Sequence, residues 1–163
     1  MLENTNPINK HVARFLAILS LYSYKMQDLK TIKSISSNIK EAYNNKDIFD
    51  LGVKVDDILE LHKVDERLLE QLILLYTNNI KDIHQTIKNN LIEKYSLAKL
   101  DKVIGSILEL ATIELLYCAD IPAKIIIDEY VSLTKTFYEN SEAGFVNKVI
   151  DTLARSIRPT EIE

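Results

Sequence analysis

The sequence contains few of the residues that build compact catalytic, redox or metal sites. Its 163 residues include one cysteine, three glycines, three prolines and no tryptophan. A single cysteine excludes an internal disulfide and a zinc site with several cysteine ligands. There is no glycine-rich phosphate loop, no G-x-S-x-G motif and no H-E-x-x-H or E-x-x-H pair. We therefore predict a protein that is not an enzyme and that binds no metal ion and no cofactor.

The sequence also lacks a strong net charge, a targeting segment and a membrane span. The formal net charge is −4 at pH 7, so the chain as a whole does not attract polyanions, and any nucleic-acid surface must be local. The first ten residues, MLENTNPINK, contain no basic region followed by an apolar run. We therefore expect a cytoplasmic protein that does not enter a membrane.

The most apolar segment of the chain runs from Leu100 to Cys118. Its apolar side chains cover nearly the whole circumference of a helix at 100° per residue, which predicts a helix covered on most sides. Charged residues within it, among them Glu109 and Glu114, would be costly in a bilayer. With 47% hydrophobic residues and few helix breakers, the sequence predicts an all-α fold around this central helix. Cys118 is expected to be buried and unreactive.

The remainder of the chain is predicted to form further helices of one domain that covers residues 1–163. Pro7 suits a first helical turn with Asn6 as its cap, and Asp65 can cap a later helix. The predicted helices are, in order, 8–26, 27–46, a short one at 55–62, 66–90 with a kink near Asn78-Asn79, 100–118, one after Pro122, and a last one capped by Ser141 or Asn140 and ended by Pro159. Residues 1–6 are expected to be loose, and residues 44–64 to form a variable connection.

Positive charge is concentrated near the amino terminus. Residues 4–40 contain six Lys or Arg and one acidic residue, a net charge of +5 in a chain of net charge −4. On the first helix, Lys10, Arg14 and Lys25 fall within about 60° of one another, opposite the apolar stripe. Ile18 and Leu21 fall near the same row, which indicates that the helix is covered on more than one side. Charge runs are usually solvated helix faces, so charge alone does not establish binding.

The last helix carries a clean apolar stripe and one aromatic residue outside it. The stripe consists of Val146, Val149, Ile150, Leu153 and Ile157. Phe145 lies roughly 100° from its centre, so the ring either packs sideways on a neighbour or remains accessible to stack on a base. Phe137 lies on the core stripe of its own helix, which favours packing. Arg155 and Arg158, in the last turns, suit the negative end of the helix dipole.

Several motifs together resemble one known family. They are the run ILELATIELLYCADIPAKIIIDEYVSLTKTF at 107–137, GFVNKVID at 144–151, and A-x-x-x-L-Y at 17–22. This combination resembles the NusB family of transcription antitermination factors over nearly the whole chain, with residues 27–64 matching poorly. The resemblance implies about seven helices arranged as two small bundles. It also implies binding of single-stranded boxA RNA from ribosomal RNA operons together with the small-subunit ribosomal protein NusE, within an antitermination complex of RNA polymerase.

The resemblance also implies functional residues. Residues expected at the RNA are Lys10, His11, Arg14, Tyr22, Phe137, Phe145, Asn147 and Lys148. Partner binding needs exposed apolar surface, and the central helix is its expected source, with Glu109, Ile113 and Glu114 as candidates. Two residues depart from the family: Glu109 stands where arginine is common, and Lys148 replaces a glycine. A carboxylate at position 109 would repel phosphate, and Lys148 could partly offset that repulsion.

The sequence leaves an alternative function open. The domain could be a helical protein-interaction module without RNA affinity, related to the N-terminal domain of RNA cytosine methyltransferases. Here the chain ends at Glu163 with no α/β methyltransferase domain after it. The oligomeric state is also open, since a homodimer could cover the RNA-binding face. Titration of a boxA-like RNA with and without the ribosomal partner separates the two functions.

Overall fold

A computed structural model describes residues 6–27, 31–45, 62–92 and 95–162, and these contain six α-helices. The helices are α1 (Pro7–Lys25), α2 (Ile32–Asn44), α3 (Glu66–Asn90), α4 (Lys102–Tyr117), α5 (Ala123–Phe137) and α6 (Asn140–Ile157). The described residues contain no strand, which confirms the predicted all-α class. The short helix predicted at 55–62 lies, apart from His62, outside the described residues. The chain divides into two compact units, residues 1–74 and 75–163.

Local capping chemistry determines where the helices of the first unit begin. The Oδ1 atom of Asn6 accepts the backbone N–H of Ile8 at 3.0 Å, and Pro7 occupies the first turn of α1. Both predictions for this helix start are therefore confirmed. Helix α2 begins later than predicted, because the hydroxyl of Thr31 caps it by accepting the N–H of Ser34 at 3.2 Å.

The first unit is held together by packing of α1 on α2 and by contacts to residues 62–66. The hydroxyl of Tyr43 donates to the carbonyl of His62, and burial raises the pKa of Tyr43 to about 12, so this donor keeps its proton at neutral pH. The N–H of Asp65 donates to the carbonyl of Asn9 at 3.0 Å. These bonds tie the start of α3 to both preceding helices.

Helix α3 is capped and kinked where the sequence predicts. The carboxylate of Asp65 accepts the N–H of Leu68 at 3.0 Å. Asn79 has non-helical dihedrals, φ −133° and ψ 24°, and its side-chain amide donates to the carbonyl of Leu75 at 2.9 Å. Asparagine competes for backbone hydrogen bonds in this way, which accounts for the kink.

The second unit is built around α4. Helices α5 and α6 pack on α4, and they also contact each other. Every residue of α4 from Ile104 to Leu115 is buried, and Cys118 is buried just after the helix. The carboxylate of Asp101 caps α4 by accepting the N–H groups of Val103 and Ile104 at 2.8 and 3.4 Å. These observations confirm the prediction of a central helix covered on nearly all sides.

The last helix begins before its predicted caps. Glu139 is the residue that precedes α6, and Asn140 and Ser141 are already helical, so the prediction that one of them caps the helix is wrong. The hydroxyl of Ser141 instead donates to the neighbouring carboxylate of Glu142 at 2.8 Å. The predicted stripe is correct: its first four members are buried and Ile157 is half-buried.

The end of α6 is joined to the end of α4 through one side chain. The guanidinium of Arg158 donates to four backbone carbonyls, those of Glu114 (2.8 Å), Leu115 (2.8 Å), Cys118 (2.9 Å) and Ile121 (2.6 Å). Glu161 lies 3.4 Å from the same guanidinium and accepts the N–H of Ala123, in the first turn of α5, at 2.8 Å. Arg158 therefore adds charged donors to carbonyls at and just after the end of α4, two of which, those of Glu114 and Cys118, also accept backbone N–H groups.

Candidate nucleic-acid interface

Helix α1 exposes its ends and buries its middle. Lys10 and His11 are half-buried near its start, and Tyr22 is 37% exposed near its end. All seven residues from Val12 to Ile18 are buried. Lys10 and Tyr22 are twelve residues apart, about 18 Å along the helix axis, so the accessible polar and aromatic groups of α1 form two separate groups.

Arg14 does not lie on an exposed basic face of α1, which corrects the prediction. Its side chain was expected on the exposed side with Lys10 and Lys25, but Arg14 is only 2% exposed. Seven consecutive buried residues cover the full circumference of a helix, so no face of this stretch is open to solvent. The structure therefore removes Arg14 from the residues able to contact RNA directly, and it bears out the indication that α1 is covered on more than one side.

Four half-buried aromatic residues lie around the start of α4, the end of α5 and the start of α6. We call Tyr95, Phe137, Tyr138 and Phe145 the aromatic cluster. The hydroxyl of Tyr138 donates to the carboxylate of Asp101, the residue that caps α4. The rings of Tyr95 and Phe145 lie 5.2 Å apart between centroids and are tilted by 58°. The helix ends that carry these rings are thus linked through side-chain contacts.

Phe145 both packs on a neighbouring ring and remains partly exposed, the two outcomes that its position on α6 permits. The ring packs sideways on Tyr95, as expected for a residue outside the core stripe, and the residue is also partly exposed. A Cβ atom placed on the preceding residue, Gly144, would meet nothing within 4 Å, so the helix surface at position 144 is open. An aromatic ring that is partly exposed can stack on a nucleobase.

Tyr95 and Tyr138 are members of the cluster that sequence reasoning missed. Both lie outside the helices, one in the connection before α4 and the other just after α5, where helical periodicity carries no information. A signal was present for Tyr138, because it directly follows Phe137 at a predicted helix end. No comparable signal pointed to Tyr95.

Lys148 and Asn147, the remaining candidates on α6, are both exposed but lie on different faces. Lys148 is three residues after Phe145, so it lies about 60° away around the helix and shares its face. Asn147 is two residues after Phe145 and lies about 160° away. The helix therefore brings Lys148 and Phe145 together, and it does not bring Asn147 to the same face.

The three candidates for partner binding are all buried, which corrects the prediction that they form an exposed surface. Glu109 is 1% exposed, and Ile113 and Glu114 are 0% exposed. The carboxylate of Glu114 accepts the hydroxyl of the fully buried Tyr130 of α5. An apolar central helix is covered by its own chain, so its hydrophobicity reflects the core of the second unit and not a docking surface.

Glu109 is paired inside the protein and does not face an RNA backbone. Its Oε2 atom lies 2.7 Å from Nε2 of His84, whose side chain is 45% exposed and which lies on the second half of α3. The expected repulsion between this carboxylate and phosphate therefore does not arise by direct contact. Glu109, which departs from the family pattern, therefore has a partner, His84, on another helix of the chain.

A double-mutant cycle tests the energetic coupling of this pair. We expect His84→Ala and Glu109→Gln each to lower the free energy of unfolding, with a coupling energy of about 1 kcal/mol, because the carboxylate is buried and the imidazole is half-exposed. Equilibrium denaturation by urea measures all three variants. Gln85→Ala, at the exposed neighbouring position, is the control and should change stability by less than about 0.5 kcal/mol. Strictly additive single effects would contradict the coupling.

In the described parts of the chain, no three or more His, Cys, Asp and Glu side chains are grouped so that they could hold a metal ion. No helix in those parts is long and apolar enough to cross a membrane.

Comparison with known proteins identifies the family. A family model described as the NusB family matches residues 11–155. The chain belongs to the NusB family of transcription antitermination proteins. The transcription antitermination protein NusB of Caulobacter vibrioides is 30% identical over 149 residues, which cover 91% of this chain and 94% of that relative. NusB of Rickettsia rickettsii is 29% identical over 154 residues, 93% of this chain and 96% of that relative.

Solved NusB structures share the fold. The structure of T. maritima NusB superposes with a TM-score of 0.72 at 25% identity and covers 97% of each chain. A chain from the structure of the antitermination factors NusB and NusE in complex with dsRNA superposes with a TM-score of 0.68 at 19% identity, covering 90% of this chain and 96% of that one. The helical fold predicted from the NusB resemblance is thereby confirmed.

Proposed function

We propose that this chain promotes transcription antitermination by binding boxA RNA together with the small-subunit ribosomal protein NusE, within the cytoplasmic complex of RNA polymerase. The observation that carries the proposal is the partly exposed ring of Phe145, which has Lys148 on the same helix face and open surface at Gly144, in a chain of the NusB family. The role is one of binding, and we infer that the protein is not an enzyme.

The chemistry of these groups suits an unpaired RNA strand. Stacking of a base on an aromatic side chain contributes about 1–3 kcal/mol and requires an unstacked base. Lys148 supplies a phosphate contact beside the ring. On α1, the half-buried Lys10 and His11 and the exposed Tyr22 are the accessible members of the predicted set. We propose that these residues contribute to RNA binding, whereas the buried Arg14 does not contact the RNA.

A protein partner is part of the proposal because the available positive charge is small. Each phosphate contact contributes roughly −0.7 to the slope of log affinity against log salt for a single strand, so two or three lysines alone give weak binding. One fold neighbour was solved as a complex of NusB and NusE with dsRNA, which supports a partner of the NusE type. The partner surface must lie outside Glu109, Ile113 and Glu114, since all three are buried.

Substitution of Phe145 and Lys148 tests RNA binding. We expect Phe145→Ala to weaken the affinity for a single-stranded boxA RNA about tenfold, because a stacking surface is lost. Lys148→Ala should reduce the magnitude of the salt slope by about 0.7, because one phosphate contact is lost. Fluorescence anisotropy of labelled RNA, with and without NusE and at several salt concentrations, measures both quantities.

The control for Lys148 is Lys124, an exposed lysine at the opposite end of α5 from the aromatic cluster. Lys124→Ala should leave both the affinity and the salt slope unchanged. If Phe145→Ala and Lys148→Ala bind RNA as the unsubstituted protein does, these two residues do not form the RNA-binding surface. If the unsubstituted protein binds NusE but no boxA RNA, the RNA-binding proposal fails and a helical interaction module without RNA affinity is favoured.

A further inference from the structure

We infer that Tyr95 is a positioning residue for RNA binding, which holds the ring of Phe145 so that one side of that ring remains available to an unpaired base. The inference rests on the proposed function, because it concerns how the proposed stacking residue is oriented. It assigns a role to a side chain in the connection before α4, outside the motifs that carry the family resemblance.

The contact between the two rings has the geometry of an aromatic pair that stabilises a fixed orientation. The centroid separation of 5.2 Å and the tilt of 58° fall in the range of offset and edge-to-face pairs. Both residues are half-buried. Phe145 lies outside the buried stripe of α6, and its ring contacts that of Tyr95.

Tyr95 is itself held by the backbone that leads into α4. Its N–H donates to the carbonyl of Ile92 at 2.8 Å. The carbonyl of the next residue, Ser96, accepts the N–H groups of Lys99 and Leu100 at 3.0 and 3.1 Å, which forms a turn directly before the capping residue Asp101. The position of the Tyr95 ring is therefore tied to the start of α4, the same helix end to which Tyr138 bonds.

A Phe145 ring held in one orientation should bind an RNA base more tightly than a mobile ring. Without Tyr95, the Phe145 side chain could occupy other staggered rotamers, and RNA binding would have to order it. A preorganised ring avoids this loss of conformational freedom on binding. Phe145 is partly exposed, and the helix surface at the preceding Gly144 is open. Tyr95 thus acts through Phe145, and its effect on affinity must depend on the presence of that ring.

The test uses single-stranded boxA RNAs in which 2-aminopurine replaces one base at a time. The chain contains no tryptophan, so quenching of 2-aminopurine by stacking is observed without indole emission from this protein. We expect the unsubstituted protein to quench the fluorescence of 2-aminopurine at one position of the RNA. Tyr95→Leu should weaken binding about fivefold and reduce that quenching, whereas Tyr95→Phe, which keeps the ring, should retain both. Phe145→Leu should abolish the quenching.

Non-additivity separates positioning from direct contact. If Tyr95 acts through Phe145, the double variant Tyr95→Leu/Phe145→Leu should bind no more weakly than Phe145→Leu alone. The control is Tyr117→Leu, because Tyr117 is also half-buried but lies at the opposite end of α4, about 22 Å along the helix axis from the first residue of that helix. It should leave affinity and quenching unchanged. Circular dichroism and thermal unfolding confirm that each variant is folded.

Each outcome bears on one of the two proposals. If the unsubstituted protein does not bind the RNA, the proposed function fails. If it binds and Phe145→Leu leaves affinity and quenching intact, RNA binding stands, and the stacking role of Phe145 and the positioning role of Tyr95 are both wrong. If Phe145→Leu weakens binding but Tyr95→Leu does not, RNA binding stands and the positioning role is wrong. An additional loss in the double variant shows that Tyr95 contacts RNA independently, and an equal loss in Tyr117→Leu shows a general effect of destabilisation. Both of these results overturn the inference.

Discussion

Replacing Arg158 by alanine is expected to lower the free energy of unfolding by about 3 kcal/mol, although this residue lies at the very end of the last helix. Its guanidinium donates to four carbonyls around the end of α4, and its side chain is 9% exposed. Charge-assisted hydrogen bonds are among the stronger ones in proteins, and their removal leaves buried acceptors without that donor. Urea denaturation of the purified protein measures the loss.

Arg155 provides the matched control, because it is an arginine three residues earlier on the same helix. It is 52% exposed and pairs with Asp151 at 2.8 Å in an i,i+4 arrangement, which contributes little at a solvated surface. Arg155→Ala should change stability by less than about 0.5 kcal/mol. Arg158→Lys should recover less than half of the loss, because an ammonium cannot reproduce the planar fork of donors. Equal effects of the two alanine substitutions would show that the four carbonyl contacts contribute nothing specific.

Capping and periodicity were the features of this fold that the sequence predicted well. Asn6, Asp65 and Asn79 act on backbone groups within four residues of themselves, so their roles can be derived from local sequence. The all-apolar character of α4 predicted its central position for a similar reason, because a helix without a polar face must be covered. Local sequence predicted two helix starts wrongly: α2 begins after Thr31, and α6 begins after Glu139, which makes no side-chain capping bond.

Features that depend on distant partners could not be predicted in this way. Glu109 is paired with His84, which is 25 positions away, and Arg158 bonds carbonyls 37 to 44 positions away. From the sequence, Arg158 was assigned to the dipole of its own helix, whereas it satisfies the end of another helix. The burial of Arg14 likewise depends on what surrounds α1, and helical angles alone cannot show that a charged row is covered.

The candidate site was predicted in part. The resemblance correctly pointed to a partly exposed Phe145, and helical spacing correctly places Lys148 on its face. The same spacing separates Asn147 from that face, and this could have been recognised from the sequence. The support from Tyr95 was not predictable, because the residue lies in an irregular connection whose path is set by the turn before α4. Stacking on RNA by these residues stays a prediction.

The buried pair of Glu114 and Tyr130 explains why an apolar central helix carries a carboxylate. Glu114 is 0% exposed and accepts the hydroxyl of Tyr130, one of the largest fully buried side chains. A buried hydrogen-bonded carboxylate adds little net stability compared with an apolar core, and this one bonds a specific residue of α5. Breaking the pair is costly, since the remaining polar group stays buried without that partner.

We therefore expect Glu114→Ala to lower the free energy of unfolding by about 3 to 5 kcal/mol, through the cavity it leaves and the loss of an acceptor for Tyr130. Glu114→Gln keeps the volume and one acceptor oxygen and should cost about 1 to 2 kcal/mol. Glu139→Ala is the control, because Glu139 is exposed and makes no side-chain capping bond, and it should stay within about 0.5 kcal/mol. A loss below about 1.5 kcal/mol for Glu114→Ala would show that α4 and α5 are held by apolar packing alone and that the carboxylate is dispensable to the core.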